Sequence, residues 1–391
     1  MKTIASLSVS AALVIGSVSS ALAAGDRFSI SGVVPGVNDS TRIVLMNIER
    51  DEPVKIAETV TTDGAFTLLE SVKMPSLCKL AIMTKGKDGR FHRRTDPRMM
   101  VENTDMKVEF MQPLDSMSHT YTPEKLIKVN GGEAARQFAE YLDRCSDAEL
   151  KSQLAGYKSA NKWFETNNDR DTMAKYEGLK KEAAAELLSL QKQFIAEHPD
   201  YHISSALTFK ELMRTFVYSD DELTAMVETV KVCPDTARVN LNNRALEWSK
   251  RYSIDRLYPD FAVDNDKNEA KQFSTYVTPG KYTFIDFWAS WCGPCRAAIP
   301  HVRKLRSQYA DKMNVYSISC DDDEAAWRKA MEKEQMEWTQ LRLNPEQLNV
   351  ASKLYYISAI PRLILLDPMG RIVCSTNLPD EVDEYLSKNL K

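Results

Sequence analysis

Two cysteines separated by two residues, Cys292 and Cys295, are the residues of this sequence best suited to chemistry. Such a pair can close a small disulfide when the motif begins a helix. Pro294 suits the first helical turn, where a missing N–H costs no hydrogen bond. The N-terminal end of a helix favours an anion, so the Cys292 thiolate should be stabilised there. We predict that Cys292 attacks a substrate disulfide and that Cys295 resolves the mixed disulfide.

The same motif could instead be half of a zinc site or a purely structural disulfide. Zinc would require a second pair of ligands at suitable spacing. The other cysteines are scattered singly, at Cys78, Cys145, Cys233, Cys320 and Cys374. His198 and His202 lie four residues apart, but Pro199 interrupts the helix that would align them. We therefore predict a redox-active Cys292–Cys295 disulfide, with no metal and no cofactor.

The elements that would position this motif follow from the pattern of residues 255–391. Apolar strand runs alternate there with helical patterns, over 282–289, 295–309, 314–320, 324–334, 362–367, 372–376 and 380–390. The first predicted strand ends just before the cysteines, and the first predicted helix begins within the motif. Such alternation is typical of an α/β layer with a central sheet.

The segment FIDFWASWCGPC, residues 284–295, resembles the active-site segment of thioredoxins. Pro300 matches the proline that kinks the active-site helix of that family. The spacing from Cys295 to Pro361 leaves room for roughly one additional helix, beginning near DDDEAAW. This insertion is similar to the exported thioredoxin-like reductases of the TlpA/ResA type. The resemblance covers residues 255–391 and implies a thioredoxin fold there.

The resemblance also implies an active-site loop of Trp291, Gly293 and Pro294, and a second loop that faces the dithiol. The second loop lies in AIPRLILLD, residues 359–367, and contains Ile360, Pro361 and Arg362. In the family the Ile360–Pro361 bond would be cis. Cys320 and Cys374 would fall on non-adjacent strands of the sheet, so we predict that they do not pair.

Arg362 departs from the family, which usually has Thr after the cis-proline. We consider three roles for its guanidinium: stabilising the Cys292 thiolate, docking acidic clients, or simply pointing into solvent. A second departure is the strand 315–320, which lacks the lysine that thioredoxins carry near their buried acid.

Asp286 interrupts an apolar strand six residues before Cys292. A buried carboxylate is costly unless it is hydrogen-bonded or used. By resemblance it would accept the proton of Cys295 through water and return it, acting as general base during resolution. The alternative is a carboxylate that reaches solvent at the end of the strand.

Composition excludes several classes of protein. The 391 residues include 51 Lys and Arg against 55 Asp and Glu, so the chain lacks the basic balance of a nucleic-acid-coating protein. Residues 1–23 combine Lys2, an apolar stretch and the small-x-small site ALA, which indicates a secretory signal peptide. The mature protein is therefore expected in the periplasm.

The remaining chain divides into two further regions. Residues 24–118 are predicted to form a β-sandwich-like domain, with strands over 28–33, 42–48, 56–61, 65–69 and 77–83, and with a hairpin turn at Asp63-Gly64. Residues 119–254 are predicted to be helical, over 133–145, 147–166, 171–197 and 220–231, and to pack between the flanking domains. Residues 26–250 resemble the region that precedes such thioredoxin-like domains in Bacteroidetes proteins.

We therefore predict a periplasmic thiol:disulfide oxidoreductase that reduces protein disulfides. Its partners would be disulfide-containing protein clients and a membrane thiol reductant relay, with no nucleic acid and no metal. Two alternatives remain. A thiol peroxidase would need a Pro shortly before its reactive Cys, and 286–291 contains none. A partner-binding module would use residues 26–250 for binding and the dithiol only secondarily.

Overall fold

A computed structural model of the chain describes residues 26–37, 40–49, 52–117, 122–165 and 170–390. The predicted signal peptide, residues 1–23, lies outside these ranges. No helix within them is long and apolar enough to cross a membrane.

The N-terminal part of the described chain consists of two β-sheets that share one core. Its strands are β1 Phe28–Val33, β2 Arg42–Asn47, β3 Val54–Val60, β4 Ala65–Glu70, β5 Ser76–Lys85, β6 Phe91–Thr95, β7 Arg98–Val101, β8 Asp105–Phe110 and β9 Ile127–Asn130. One sheet has the order β4-β1-β8-β9, and the other β3-β2-β5-β6 with β7 paired to β5. Side chains from both sheets, including Ile30 and Leu80, form one buried cluster. The β-rich region predicted from the sequence is confirmed.

The Asp63-Gly64 turn forms, but the hairpin predicted around it does not. Both residues have positive φ, 50° and 74°, which suits a tight turn. Thr62 and Ala65 exchange two backbone hydrogen bonds of 3.0 and 2.9 Å. Pairing ends there, because β3 and β4 belong to different sheets. The turn therefore connects the two layers.

The middle of the chain is helical. Its helices are α1 Leu114–Met117, α2 Glu133–Glu165, α3 Arg170–Glu197, α4 His202–Leu212, α5 Asp220–Val230 and α6 Thr236–Ser249, with a short 3₁₀ turn at Pro123–Leu126. The two helices predicted over 133–145 and 147–166 are a single helix, α2. Ser146 alone lies between those predicted segments, and it does not interrupt the backbone as Pro or Gly would. Ser146 is buried instead of ending the helix.

The C-terminal part is an α/β unit built on a sheet of seven described strands. The strands are β10 Ala262–Asp264, β11 Ala270–Gln272, β12 Tyr282–Trp288, β13 Met313–Ser319, β14 Gln340–Arg342, β15 Arg362–Leu366 and β16 Ile372–Thr376. The helices are α7 Gly293–Gln308, α8 Glu324–Lys333, α9 Pro345–Tyr355 and α10 Pro379–Asn389, and 3₁₀ turns cover Lys250–Tyr252 and Phe273–Thr275. The sheet order is β11-β10-β14-β13-β12-β15-β16.

The two faces of this sheet have separate cores, which follows from the alternation along β12. Phe284 and Trp288 pack with residues of α7. Ile285 and Phe287 pack with the opposite cluster, which includes Tyr355 of α9. Because successive side chains of a strand point to opposite faces, Asp286 lies on the face covered by α7.

The helical region contacts both of its neighbours. Arg238 of α6 is fully buried and donates to Glu49, after β2, at 2.7 Å. On the other side, Lys181 of α3 lies 3.3 Å from Glu381 and 3.2 Å from Glu384, both on α10. These ion pairs join the helices to the β region and to the C-terminal unit.

Candidate active site

The cysteine motif lies where β12 ends and α7 begins. Cys292 is the N-cap of α7, and its Sγ accepts a hydrogen bond from the backbone N–H of Cys295 at 3.2 Å. Pro294 lies in the first turn, where the missing N–H of proline costs no intrahelical hydrogen bond. The sequence thus places a sulfur at the end of the helix that favours negative charge.

Cys292 and Cys295 form a disulfide with an S–S distance of 2.06 Å and a Cα–Cα distance of 5.3 Å. Both are buried, 4% and 2% exposed respectively, whereas the neighbouring Trp291 is 72% exposed. The disulfide is therefore recessed beside a large, exposed side chain with an apolar ring.

The loop before β15 faces this disulfide. The Ile360–Pro361 peptide bond is cis. The carbonyl oxygen of Ile360 lies 3.7 Å from Cys292 Sγ, and Pro361 is buried. The structure thus brings together two segments far apart in the sequence, the cysteine motif and the loop of Ile360 and Pro361.

Asp286 is buried on the α7 face of the sheet, 3% exposed. Burial raises the pKa of its carboxyl to about 7, and a hydrogen bond from Ser317 opposes that rise. The Ser317 hydroxyl donates to Asp286 Oδ2 at 2.9 Å. The strand-end alternative is wrong, because this carboxylate does not reach solvent. A buried carboxyl with a pKa near neutrality is suited to proton transfer.

Arg362 extends to the opposite face of the sheet. It pairs with Phe287 across the β12–β15 ladder, whereas Asp286 pairs with Leu363. Its Cζ lies 6.0 Å from the ring centroid of Phe216, and its Nη1 donates to Asn377 Oδ1 at 3.4 Å. Burial lowers the pKa of Arg362. The alternative that Arg362 simply points into solvent is wrong, because its Nε and Nη2 are buried. Its place on the face away from Asp286 argues against the role at the Cys292 thiolate, and the docking of acidic clients stays a prediction.

Asp321 was not identified as a site residue from the sequence. It is 2% exposed, and it accepts hydrogen bonds from the N–H of Ser290 at 2.8 Å and from its hydroxyl at 2.6 Å. The hydroxyl of Ser319 donates to it at 2.8 Å. Asp321 thereby holds the turn that leads into Trp291 and Cys292. Its position in a run of three aspartates suggested only the start of a helix.

The cysteines outside the motif are all free. Cys320 follows β13 and Cys374 lies on β16, and β12 and β15 separate those strands. The prediction that they do not pair is confirmed. Burial raises the pKa of each of these two thiols to about 12, so neither resembles an activated nucleophile. The described residues contain no group of His, Cys, Asp and Glu arranged to hold a metal ion.

Comparison with known proteins agrees with this geometry. A family model described as Thioredoxin-like matches residues 280–372. Thioredoxin 1 of Synechococcus elongatus is 44% identical over 108 residues, which cover 26% of this chain and 78% of that protein. The thiol-disulfide oxidoreductase ResA of Bacillus cereus is 23% identical over 146 residues, covering 36% of this chain and 80% of ResA.

Among solved structures, the thioredoxin domain of a thiol-disulfide oxidoreductase from Bacteroides vulgatus is 27% identical. The match covers 34% of this chain and 96% of that one, with a TM-score of 0.31. The chain belongs to the thioredoxin family, and it is a thiol-disulfide oxidoreductase of the ResA/TlpA-like kind. The resemblance of residues 26–250 to Bacteroidetes N-terminal domains stays a prediction.

Proposed function

We propose that the protein reduces disulfides of protein clients in the periplasm through Cys292 and Cys295. One observation carries this proposal: the Cys292–Cys295 disulfide lies at the N-terminus of α7, with Cys292 Sγ 3.7 Å from the carbonyl oxygen of Ile360. Exposed Trp291 beside it offers an apolar surface to a polypeptide.

The reaction starts from the reduced dithiol. The Cys292 thiolate attacks one sulfur of the client disulfide, a mixed disulfide forms, and the first client thiolate leaves and takes a proton. Cys295 then loses its proton, and its thiolate attacks Cys292 Sγ. The second client thiolate leaves and takes a proton, so the client gains two electrons and the Cys292–Cys295 disulfide is restored.

Asp286 supplies the proton acceptor for the second step. It lies on the sheet face covered by α7, the helix that carries Cys295, and burial brings the pKa of its carboxyl to about 7. A base with that pKa can take the Cys295 proton, directly or through one water, and return it near neutral pH. Ionised Asp286 thus promotes resolution rather than the first attack.

The direction of electron flow is inferred from the residues between the cysteines. Gly293 and Pro294 resemble those of the reducing members of the superfamily. The expected potential is closer to about −270 mV, as in thioredoxin, than to about −120 mV, as in DsbA. Each turnover consumes two electrons, so a membrane thiol reductant relay is the proposed donor. The predicted leader, residues 1–23, is the reason to propose the periplasm.

Insulin reduction coupled to dithiothreitol tests the proposal on the chain without residues 1–23. We expect catalysed precipitation of the insulin B chain, abolished by Cys292→Ser. Peroxide consumption measured on the same sample tests the thiol peroxidase alternative. Equilibration with glutathione buffers gives the potential, and a value near that of DsbA would contradict the reducing direction. Capture of one ligand equally well with and without Cys292 would favour the binding module.

A further inference from the structure

A short row of buried polar side chains runs across the sheet beneath α7. Asp286 on β12 and Ser317 on β13 are partners in the parallel ladder, and Ser317 is fully buried. The Ser317 hydroxyl donates to Asp286 Oδ2 at 2.9 Å. From the segment before β14, Trp338 Nε1 donates to the same Ser317 oxygen at 2.9 Å.

The two hydrogen bonds have a fixed direction. An indole N–H can only donate, so Trp338 uses one lone pair of the Ser317 oxygen. The hydroxyl proton is then free to point at Asp286. A hydroxyl held as a donor favours the ionised carboxylate over the protonated acid. In addition, the Trp338 N–H polarises the hydroxyl and strengthens its donation.

The other groups around Asp286 do not replace this interaction. Cys292 and Cys295 belong to the same core as Trp338, but they are joined in a disulfide and carry no thiol proton to donate. On β15 the partner of Asp286 is the apolar Leu363. Cys320, after β13, senses the Asp286 charge, but the pKa of its thiol is about 12, so it stays neutral. The next partner along the ladder from Ser317 is Gln340, which is neutral. No cation contributes to the pKa of Asp286 within the described part of the chain.

We propose that Ser317, oriented by Trp338, is a positioning residue that holds its hydroxyl proton toward Asp286 and thereby favours the ionised carboxylate. The inference rests on the proposed role of Asp286 as the base for Cys295. Burial alone favours the protonated carboxyl of Asp286. The hydrogen bond from Ser317, oriented by the Trp338 N–H, opposes that effect without any charged group. In support, burial and the Ser317 hydrogen bond are the two influences on the pKa of Asp286, and they act in opposite directions.

The test is a titration of the Asp286 carboxyl in the oxidised full chain, without substrate. Infrared spectroscopy follows the protonated carboxyl band, which is assigned by its absence in Asp286→Asn. Ser317→Ala should move the midpoint upward by about one to two pH units, because a hydrogen bond to a charged group is lost. Ser317→Thr keeps the hydroxyl and should restore most of the original midpoint.

Two further variants make the result specific. Trp338→Phe keeps Ser317 but removes the N–H, and it should shift the midpoint upward by less than Ser317→Ala. Ser375→Ala is the matched control: it removes a buried hydroxyl that has no partner among the described residues, on β16, and should leave the midpoint unchanged. Trp338→Phe also remains informative if Ser317→Ala fails to fold.

Unchanged midpoints in folded Ser317→Ala would overturn the inference, and an unchanged midpoint in Trp338→Phe alone would overturn the orienting role of the indole. The pH dependence of insulin reduction is measured separately on the same proteins. If the carboxyl midpoint moves while the pH–rate profile does not, the proposed base role of Asp286 fails and the coupling of Ser317 to Asp286 stands.

Discussion

The backbone N–H and the hydroxyl of Ser290 both donate to the carboxylate of Asp321, at 2.8 and 2.6 Å. Ser290 lies two residues before Cys292, and Asp321 lies two residues after β13. The Asp321 side chain thus connects the end of β13 to the turn that precedes Cys292. That turn leads into Cys292, whose Sγ lies 3.7 Å from the carbonyl oxygen of Ile360.

Replacement of Asp321 should therefore affect both stability and exchange. Asp321→Ala leaves the half-buried donors of Ser290 and the buried hydroxyl of Ser319 without an acceptor, and it should lower the free energy of unfolding by about 2 kcal/mol. The rate of disulfide exchange should fall as the turn loses its fixed geometry. Urea unfolding of the oxidised protein and insulin reduction measure the two effects.

Asp323→Ala is the matched control for this prediction. Asp323 caps α8 by accepting from the N–H groups of Ala325 and Ala326. Its loss should cost about 1 kcal/mol, as removal of an N-cap does, and should leave the exchange rate unchanged. An equal loss of rate in both variants would show that instability alone explains the effect of Asp321→Ala.

Asp286 makes the stability of the protein depend on pH. Its pKa is raised from 3.8 to about 7, so between these values the folded state binds more protons than the unfolded state. Stability therefore falls as pH rises through this window, and the penalty is complete above about pH 7. Asp286→Asn removes the penalty, so its stability advantage over the wild type should grow from near zero at pH 4 to a few kcal/mol at pH 8.

Urea unfolding of the oxidised proteins at pH 4, 6 and 8 measures this difference. A constant difference across the three values would contradict the raised pKa of Asp286. In the same variant, insulin reduction should slow without loss of the fold, because Cys295 loses its proton acceptor while the side-chain volume is kept. An unchanged pH–rate profile would remove Asp286 from the mechanism.

Arg362 is predicted to act on the contact with the helical region more than on the cysteines. Its guanidinium lies over Phe216, on the sheet face away from Asp286. Arg362→Thr should therefore lower the thermal midpoint of unfolding and leave the ultraviolet titration of the Cys292 thiolate within about half a pH unit. A larger shift would place the guanidinium charge near the sulfur.

Arg306→Thr is the control, because it removes the same positive charge as Arg362→Thr. Arg306 is exposed on α7, so its replacement should change neither the thermal midpoint nor the titration. A comparison of rates on acidic and basic peptide disulfides tests the remaining docking role of Arg362. Loss of a preference for acidic peptides in Arg362→Thr, but not in Arg306→Thr, would support that role.

Much of the site could be predicted because its signals are local in the sequence. The cysteine spacing and Pro294 indicate the first turn of one helix. The apolar run around Asp286 indicates one strand. Helix α9 also has a local signal in the sequence, because Asn344 and Gln347 form a capping box at its N-terminus. Strands β10, β11 and β14 have three residues each, too few for an alternating pattern.

The remaining site residues depend on contacts between distant segments. Ser317 acquires its role only from the β12–β13 register, which places it opposite Asp286. Trp338 reaches the same hydroxyl from a separate segment. The surroundings of Arg362 include Phe216 of the helical region, and no periodicity in either segment indicates that contact.

The central claim is that Cys292 attacks a client disulfide and Cys295 resolves the intermediate. The most direct measurement is mass spectrometry of covalent adducts between a disulfide-containing client protein and reduced Cys295→Ser or Cys292→Ser. We predict that Cys295→Ser accumulates a client adduct at Cys292, released by dithiothreitol, and that Cys292→Ser accumulates none. Adducts on Cys295 in Cys292→Ser, at equal or greater yield, would contradict the assignment.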